Sequence, residues 1–504
     1  MIDQPLFTSL LLLPFLSAPL IYLLGRLSVR KGQDSGMKAA RLLTLAALMA
    51  EIVLLVLTVK GAIGGGSVQI LVGLEAMRFD GIGLILTGLV LVLGVCVTLF
   101  SIPYMNKEKG EEKFYALLMM TIGSIIGLGF SYDLFNLWIW FEAMAISTYF
   151  LVAFYNEQSA SLEAGIKYLV QSSIGSALVL FGIAAIFATQ GTVSLEDIWQ
   201  YADQLGTLGA LGMVLMIVGF GVKAALVPMH TWLPDAHSQA PSGISAMLSG
   251  VVIEAGLIAM LRVVSMTGKM NGNWAYILII FALINILVGN LMALRQTEIK
   301  RMLAYSSLAH MGYMLFGFGI GFGFGSGTGA EGGFFHMLTH GLMKGLAFMS
   351  VGALLYVLKL VKGDHSSLKL DDLNGASRKY PLIAICLSVA VLALGGLPPF
   401  AGFMSKWMIL VAGVETKNIW MLVAVGFVGL NSVLSLGYYA PIVNRLFKRE
   451  QSEVVAAADA RVSWMMSLPI MVLTLAVILI GVWPLLTDFI LYNGQYFLLG
   501  YFFN

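Results

Sequence analysis

Runs of predominantly apolar residues, each long enough to cross a membrane, follow one another along almost the whole sequence. About 20 such residues span the hydrocarbon core of a bilayer as an α-helix, and a helix satisfies its own backbone hydrogen bonds there. Only 11% of the 504 residues are charged, whereas soluble domains average about 25%. The sequence therefore predicts an all-α polytopic membrane protein.

We predict fourteen spans, with short connections that leave no room for a soluble domain, so residues 1–504 form a single membrane domain. The spans cover residues 5–25, 39–60, 80–104, 113–130, 132–155, 165–190, 208–230, 243–267, 274–294, 302–323, 332–358, 381–411, 418–444 and 463–490. Cys96 and Cys386 lie singly in apolar runs and offer no ligand spacing for iron–sulfur or zinc. The glycine-rich segment 321–333 has no phosphate-binding lysine. We therefore expect no cofactor, no metal and no nucleic-acid partner for this chain.

Basic residues divide unevenly between alternate loops. If the N-terminus lies outside, the odd-numbered loops hold twenty Lys and Arg residues and the even-numbered loops hold four. Cytoplasmic loops of membrane proteins carry the excess of Lys and Arg. We therefore predict a multi-pass protein of the cytoplasmic membrane with both termini on its outer side.

Several charged residues remain inside the predicted spans, among them Lys223, Lys344, Lys406, Glu142 and Glu254. On insertion scales a charge at the centre of a span costs about 2.5–3.5 kcal/mol. One interpretation is a set of structural ion pairs. The other is proton transfer, because burial disfavours a charged lysine and a nearby glutamate restores its charge. We favour proton transfer.

Prolines interrupt two of the spans close to these lysines. Pro228 follows Lys223 by five residues, and Lys406 comes after Pro398 and Pro399. Broken membrane helices in corresponding positions of two halves indicate inverted repeats around an ion path. We predict five-helix repeats at residues 113–267 (spans 4–8) and 274–444 (spans 9–13), with spans 7 and 12 broken.

His336, His340 and Lys344 are spaced four residues apart and fall on one face of a helix. A single core histidine is usually structural, but three titratable groups in line favour a proton relay. The histidine spacing also suits a metal, although the sequence offers no third ligand.

Four stretches together resemble the antiporter-like proton-channel subunits of complex I, chains M and N of NADH-quinone oxidoreductase. The stretches are "VKAALVPMHTWLPDAHSQAPSG", "EIKRMLAYSSLAHMGYM", "HMLTHGLMKGLAFMSVGALLY" and "GLPPFAGFMSKW". The same family includes Mrp-type cation/proton antiporters and membrane-bound hydrogenases. The resemblance implies fourteen helices with two inverted repeats.

The resemblance also implies roles for residues that match the family's motifs. Glu142 and Lys223 would form a switch pair, with His230 beside the break. Lys344 with its histidines would form the relay, and Lys406 would be the terminal lysine. In "VVIEAGLIAMLR" Glu254 stands where the family has a bridging lysine. Glu254 would relay protons or bind a cation, or else His310 or Lys344 would form the bridge.

We expect a proton- or Na⁺-translocating subunit of a redox-driven complex, with protons passing from Lys223 along Lys344 and its histidines to Lys406. Flavin, iron–sulfur or nickel–iron centres and quinone would belong to partner subunits. Those partners would be other antiporter-like subunits, small membrane subunits and a peripheral redox arm. Alternatives are a gradient-driven Mrp-type antiporter subunit, a subunit of a hydrogenase or formate hydrogenlyase, and a scaffold that has lost transport.

Overall fold

A computed structural model of the chain describes residues 4–31, 34–62, 68–72, 75–106, 108–266, 273–364 and 366–487. The α-helices are α1 (Gln4–Lys31), α2 (Asp34–Ala62), α3 (Gly81–Tyr104), α4 (Glu111–Phe130), α5 (Leu134–Val152), α6 (Ser159–Gln190), α7 (Leu195–Gln200), α8 (Gly206–Lys223), α9 (Trp232–Gln239), α10 (Ser242–Met247), α11 (Ile253–Ser265), α12 (Asn273–Leu294), α13 (Ile299–Phe324), α14 (Gly327–Leu358), α15 (Pro381–Gly395), α16 (Ala401–Glu415), α17 (Ile419–Leu446), α18 (Glu453–Ala456) and α19 (Trp464–Val482). Strands β1 (Val68–Val72) and β2 (Glu75–Phe79) form an antiparallel hairpin.

The predicted fold class is confirmed. Within the described ranges, thirteen helical segments are long and apolar enough to cross a membrane. The predicted twelfth span, 381–411, is divided into α15 and α16, which have 15 residues each. Residues 488–490 of the last predicted span lie outside the described residues. The inverted repeats and their boundaries remain a prediction.

The predicted seventh span ends earlier than its apolar pattern indicated. Helix α8 stops at Lys223, and residues 224–231 form turns before α9 begins. Ala225 adopts a left-handed backbone conformation with φ 55°, which an L-residue cannot keep within a right-handed helix. The break therefore begins immediately after the lysine.

Burial separates the central helices from the lipid-facing ones. The segment from α10 to α11 is completely surrounded by protein, and α13 and α14 are mostly buried. Helices α1, α2 and α17 instead expose most of their apolar side chains. Because apolar side chains suit lipid as well as a protein core, the polar residues that need protein partners collect on the central helices.

Candidate ion-translocation site

The break after α8 is held by an asparagine from another helix. The Val227 amide donates to Oδ1 of Asn285 at 2.9 Å, and Nδ2 of Asn285 donates to the Ala225 carbonyl at 3.4 Å. Backbone groups freed at membrane depth must be satisfied by protein or water. Asn285 on α12 provides these hydrogen bonds. Its only signal in the sequence is a polar residue within the apolar run "ALINILVGN".

Lys223, the last residue of α8, is buried among neutral partners. Its Nζ donates to the Thr148 hydroxyl at 3.4 Å and lies 4.3 Å from the centre of the Tyr168 ring. Tyr168 in turn stacks on Trp232 with ring centres 4.1 Å apart. The Trp232 indole donates to the Val222 carbonyl, which ties the residue after the break to α8. A cation–π contact of this kind stabilises an ammonium without a counter-charge.

The predicted partner of Lys223 is close but not joined to it. The carboxylate of Glu142 on α5 lies beyond the 4.0 Å limit of an ion pair with Nζ of Lys223, although its charge acts on the lysine. One carboxylate oxygen of Glu142, Oε1, is buried without a hydrogen-bond partner. The structure therefore shows this pair in a separated state.

The second break lies between α15 and α16, and its lysine is on the C-terminal side of the break. Lys406 follows the break, whereas Lys223 precedes its own. Nζ of Lys406 donates to the Leu394 carbonyl at 2.9 Å and to the Ser432 hydroxyl at 3.1 Å, and lies 4.6 Å from the centre of the Tyr313 ring. The ammonium thus caps the free end of α15.

Two histidines and a serine connect neighbouring helices beside Lys406. Nδ1 of His310 and Nε2 of His336 are 2.9 Å apart, and Nδ1 of His336 is 2.8 Å from the Ser405 hydroxyl. The Tyr439 hydroxyl lies 3.4 Å from Nε2 of His310. These side chains form a buried hydrogen-bonded series that ends one residue before Lys406.

Glu254 forms a buried pair with His340. Oε1 of Glu254 and Nδ1 of His340 are 2.8 Å apart, and neither side chain is exposed. Their other polar atoms, Oε2 and Nε2, have no hydrogen-bond partner. The ring centres of His340 and His310 are 5.1 Å apart. Glu254 therefore joins the first half of the chain to the histidines of the second half.

Helix geometry brings Glu254 close to the first break. Residues 248–252, immediately before Glu254, form a π-helical turn, a feature that often occurs at functional sites. Two residues after Glu254, a Cβ built on Gly256 would lie 2.9 Å from Cβ of Lys223. A side chain at position 256 would push α11 away from the break.

Two of the predicted site residues stand apart from the histidine series. Nζ of Lys344 donates to the Leu303 carbonyl at 2.7 Å and to the Ser306 hydroxyl, so it faces α13. His230 is half-buried; its Nδ1 has no hydrogen-bond partner, and its ring lies against Tyr305. The shared helical face thus unites His336 and His340 in one cluster, whereas Lys344 extends it along α14.

Comparison with known proteins identifies the family. Residues 131–435 match the family described as NADH:quinone oxidoreductase/Mrp antiporter, TM, and residues 67–115 match the N-terminus of chain 5 of NADH-ubiquinone oxidoreductase (complex I). The chain belongs to the NADH:quinone oxidoreductase/Mrp antiporter family. The resemblance inferred from the four sequence stretches is confirmed.

Relatives within this family share about a third of their residues with the chain. It is 31% identical over 428 residues to F(420)H(2) dehydrogenase subunit N of Methanosarcina mazei, covering 83% of this chain and 84% of the relative. It is 33% identical over 369 residues to NADH-quinone oxidoreductase subunit N of Trichlorobacter lovleyi, covering 72% and 73%.

Solved structures match the fold over nearly its full length. A chain of an archaeal membrane-bound sulfane sulfur reductase superposes with a TM-score of 0.87 at 26% identity, covering 99% of both chains. A chain of respiratory complex I from Thermus thermophilus gives 0.76 at 26%, covering 95% of this chain and 98% of the other. A chain of the Mrp complex from Dietzia has the same fold, with a TM-score of 0.83 at 20% identity and 98% coverage of both chains.

Proposed function

We propose that this chain is the proton-translocating antiporter-like subunit of a redox-driven membrane complex. The relatives are named as subunits of dehydrogenases and quinone oxidoreductases. The observation that carries the proposal is a set of buried polar side chains near the two broken helices: the Glu254–His340 pair and the hydrogen-bonded series His310–His336–Ser405, with the rings of His340 and His310 5.1 Å apart. Glu254, His340, His310, His336 and Ser405 lie between the lysine at the first break and the lysine at the second.

Structural ion pairing does not account for the buried lysines. Lys223, Lys344 and Lys406 are each bonded to carbonyl or hydroxyl oxygens, and none has a carboxylate within the 4.0 Å limit of an ion pair. A charge at the centre of a span is costly, and an ion pair would offset part of that cost. Groups that exchange a proton need the opposite arrangement, in which neither protonation state is strongly favoured.

The proposed path starts at Lys223 and ends at Lys406. When Glu142 approaches, Lys223 holds its proton; when Glu142 withdraws, the lysine releases the proton towards Glu254 and His340. His310, His336 and Ser405 then carry a proton towards Lys406 along the His310–His336 and His336–Ser405 hydrogen bonds, and Lys344, one turn beyond His340, exchanges protons with the same cluster. Each step moves one proton between two named groups and changes no other bond.

The proposal includes an orientation and partners. Both termini lie on the outer side of the cytoplasmic membrane in this proposal, which the excess of Lys and Arg in the odd-numbered loops supports. The electron donor, the flavin, iron–sulfur or nickel–iron centres and the quinone site belong to other subunits, because the predicted spans leave no room for a redox domain. The immediate neighbours in the membrane are other antiporter-like subunits and small hydrophobic subunits.

Gentle solubilisation from the native membrane, isolation through a tag on this chain and mass spectrometry of the bound subunits test the proposal. We expect flavin, iron–sulfur or nickel–iron proteins to be present in stoichiometric amounts. Recovery of small hydrophobic subunits alone, without any redox protein, would contradict it and would favour a gradient-driven cation/proton antiporter.

A further inference from the structure

A polar cavity opens where the ends of several helices meet the odd-numbered loops. Its volume is about 380 Å³, and its lining includes Tyr104, Ser238, Gln239, Lys300 and Ser367. Ser367 belongs to the connection 359–380, which carries five of the twenty basic residues of the odd-numbered loops. The positive-inside rule therefore places this cavity at the cytoplasmic surface.

One of the residues that line the cavity is a buried lysine, Lys300. Only 3% of Lys300 is exposed, and its Nζ donates to the Ala240 carbonyl at 2.6 Å and approaches the Ser238 carbonyl at 3.5 Å. Both carbonyls belong to the C-terminal end of α9, where a cation is favourable. The ammonium thus links the end of α9 to the start of α13.

A buried histidine comes immediately before the lining residues Ser238 and Gln239 on α9. His237 is not exposed at all, and neither of its ring nitrogens has a hydrogen-bond partner. The ring stacks on Phe348 at 4.7 Å, and the charges of Lys300 and Lys344 both act on it. Buried polar atoms in proteins are normally bonded to protein or to ordered water. His237 is therefore a buried polar side chain that lies between the residues lining the cavity and Phe348, one turn from Lys344 on α14.

We propose that this cavity is a cytoplasmic proton-uptake site that reaches Lys344 through His237. The inference rests on the proposed function and adds a second entry point, at Lys344, that works in the same transport cycle as the switch at Lys223. A hydronium ion in the cavity gives a proton to one ring nitrogen of His237 and leaves water behind, and the other ring nitrogen releases its proton to the neutral amine of Lys344. The imidazole changes tautomer, and one proton is transferred inwards.

Cysteine accessibility tests whether the path is open. Cys96 and Cys386 are replaced by alanine, and His237→Cys is compared with Ala236→Cys; both positions are fully buried and neither lines the cavity, so only a path through His237 would make them differ. The probe is the membrane-impermeant reagent 2-(trimethylammonium)ethyl methanethiosulfonate, applied to inside-out and right-side-out vesicles. We expect at least tenfold faster labelling of His237→Cys than of Ala236→Cys, in inside-out vesicles only. Equal labelling of the two, or labelling from the outer side alone, would overturn the inference.

Proton uptake tests whether the imidazole carries the proton. His237→Phe keeps a ring against Phe348, and His237→Gln keeps hydrogen-bonding atoms, but neither side chain can be protonated. In inside-out vesicles of the assembled complex, supplied with its electron donor, both variants should lose about tenfold or more of the proton-uptake rate. If Lys406→Ala is inactive, full proton uptake by His237→Gln would overturn the inference that protons enter through His237. If Lys406→Ala also retains full uptake, the proposed function itself fails.

Discussion

Among single residues, Lys223 is the one on which the proposed transport depends most. It sits at the end of a helix, its neighbours are a hydroxyl and an aromatic ring, and its predicted carboxylate partner is withdrawn. An ammonium in such a place is stabilised by weak contacts only. A small movement of Glu142 therefore changes its proton affinity substantially, because charge interactions are strong where water is excluded.

Replacing Lys223 by alanine should abolish proton uptake and leave assembly intact. The alanine removes the proton-accepting amine, and Asn285 and Trp232 still hold the break. Proton uptake in inside-out vesicles and native gel electrophoresis measure the two effects. Lys109→Ala is the control, since Lys109 is exposed and its ion pair with Glu157 lies at the surface. Normal uptake by Lys223→Ala would remove this lysine from the path.

Replacing Glu254 by glutamine should slow proton uptake by about tenfold or more. Glutamine keeps the size of the side chain and a hydrogen bond to His340, but it has neither a charge nor a titrating proton. The initial rate of uptake after donor addition is the measurement. A Glu254→Gln rate equal to the parent's would show that the pair with His340 is structural.

At the scale of elements, the two breaks have different stabilising partners. Asn285 on α12 holds the first, while the second depends on Gly396, whose φ is 80°. A Cβ on Gly396 would lie 3.1 Å from Cδ of Lys406 and 3.3 Å from its Nζ. Glycine therefore serves two purposes here: it permits the left-handed backbone and leaves room for the ammonium.

Gly396→Ala should lower both stability and transport. The left-handed alanine costs about 1–2 kcal/mol, and its methyl group displaces Lys406. Gly191→Ala is the matched control, because Gly191 has φ 69° and open space around the added Cβ. Thermal unfolding and proton uptake are measured on both. We expect both variants to be less stable but only Gly396→Ala to lose transport; equal transport in the two would contradict the displacement.

Asp235 links α9 to two neighbouring helices. Its carboxylate forms ion pairs with Lys167 on α6 at 3.0 Å and with Arg301 on α13 at 2.6 Å. Partial burial raises the pKa of Asp235, but the bonds to Lys167 and Arg301 outweigh it and lower the pKa below its ordinary value. A carboxyl with a lowered pKa stabilises the fold above its ordinary range, near pH 4, and loses this effect as the pH falls below that range.

Asp235→Asn should therefore lower the melting temperature at neutral pH, by an amount on the order of 2 °C. The difference from the parent should be constant between pH 5 and pH 8 and shrink as the pH falls below about 4. Thermal unfolding of the purified complex at a series of pH values checks both statements. A difference that grows towards low pH would contradict the sign of the effect.

Local sequence patterns predicted most of the spans and both breaks, but not the contacts between helices. Apolar length gave the spans, and the prolines gave both breaks. The early end of α8 could not be foreseen, because Asn285 comes from a helix about 60 residues later in the chain. The same limit applies to the site. The spacing of His336 and His340 was visible, whereas the bonds to His310, Ser405 and Glu254 depend on the packing of four different helices.

At the scale of the whole molecule, charge and burial are arranged in layers. Helices α11, α13 and α14 carry Glu254, the three clustered histidines and Lys344, while α1, α2 and α17 expose apolar residues on the outside. The fold closely follows subunits of complex I and of an archaeal respiratory complex. Under the proposed function, the chain provides the path for protons, and partner subunits that carry electrons supply the driving energy.

Proton translocation by the complex is tested most directly by the lumenal pH of proteoliposomes that contain the purified complex. The complex is inserted with its cytoplasmic face outwards, a pH-sensitive dye is enclosed, and the electron donor is added outside. We predict that the lumen becomes acidic, that an uncoupler collapses the change, and that vesicles with Lys223→Ala show no change. Oxidation of the donor without any change of lumenal pH would contradict proton translocation by this complex.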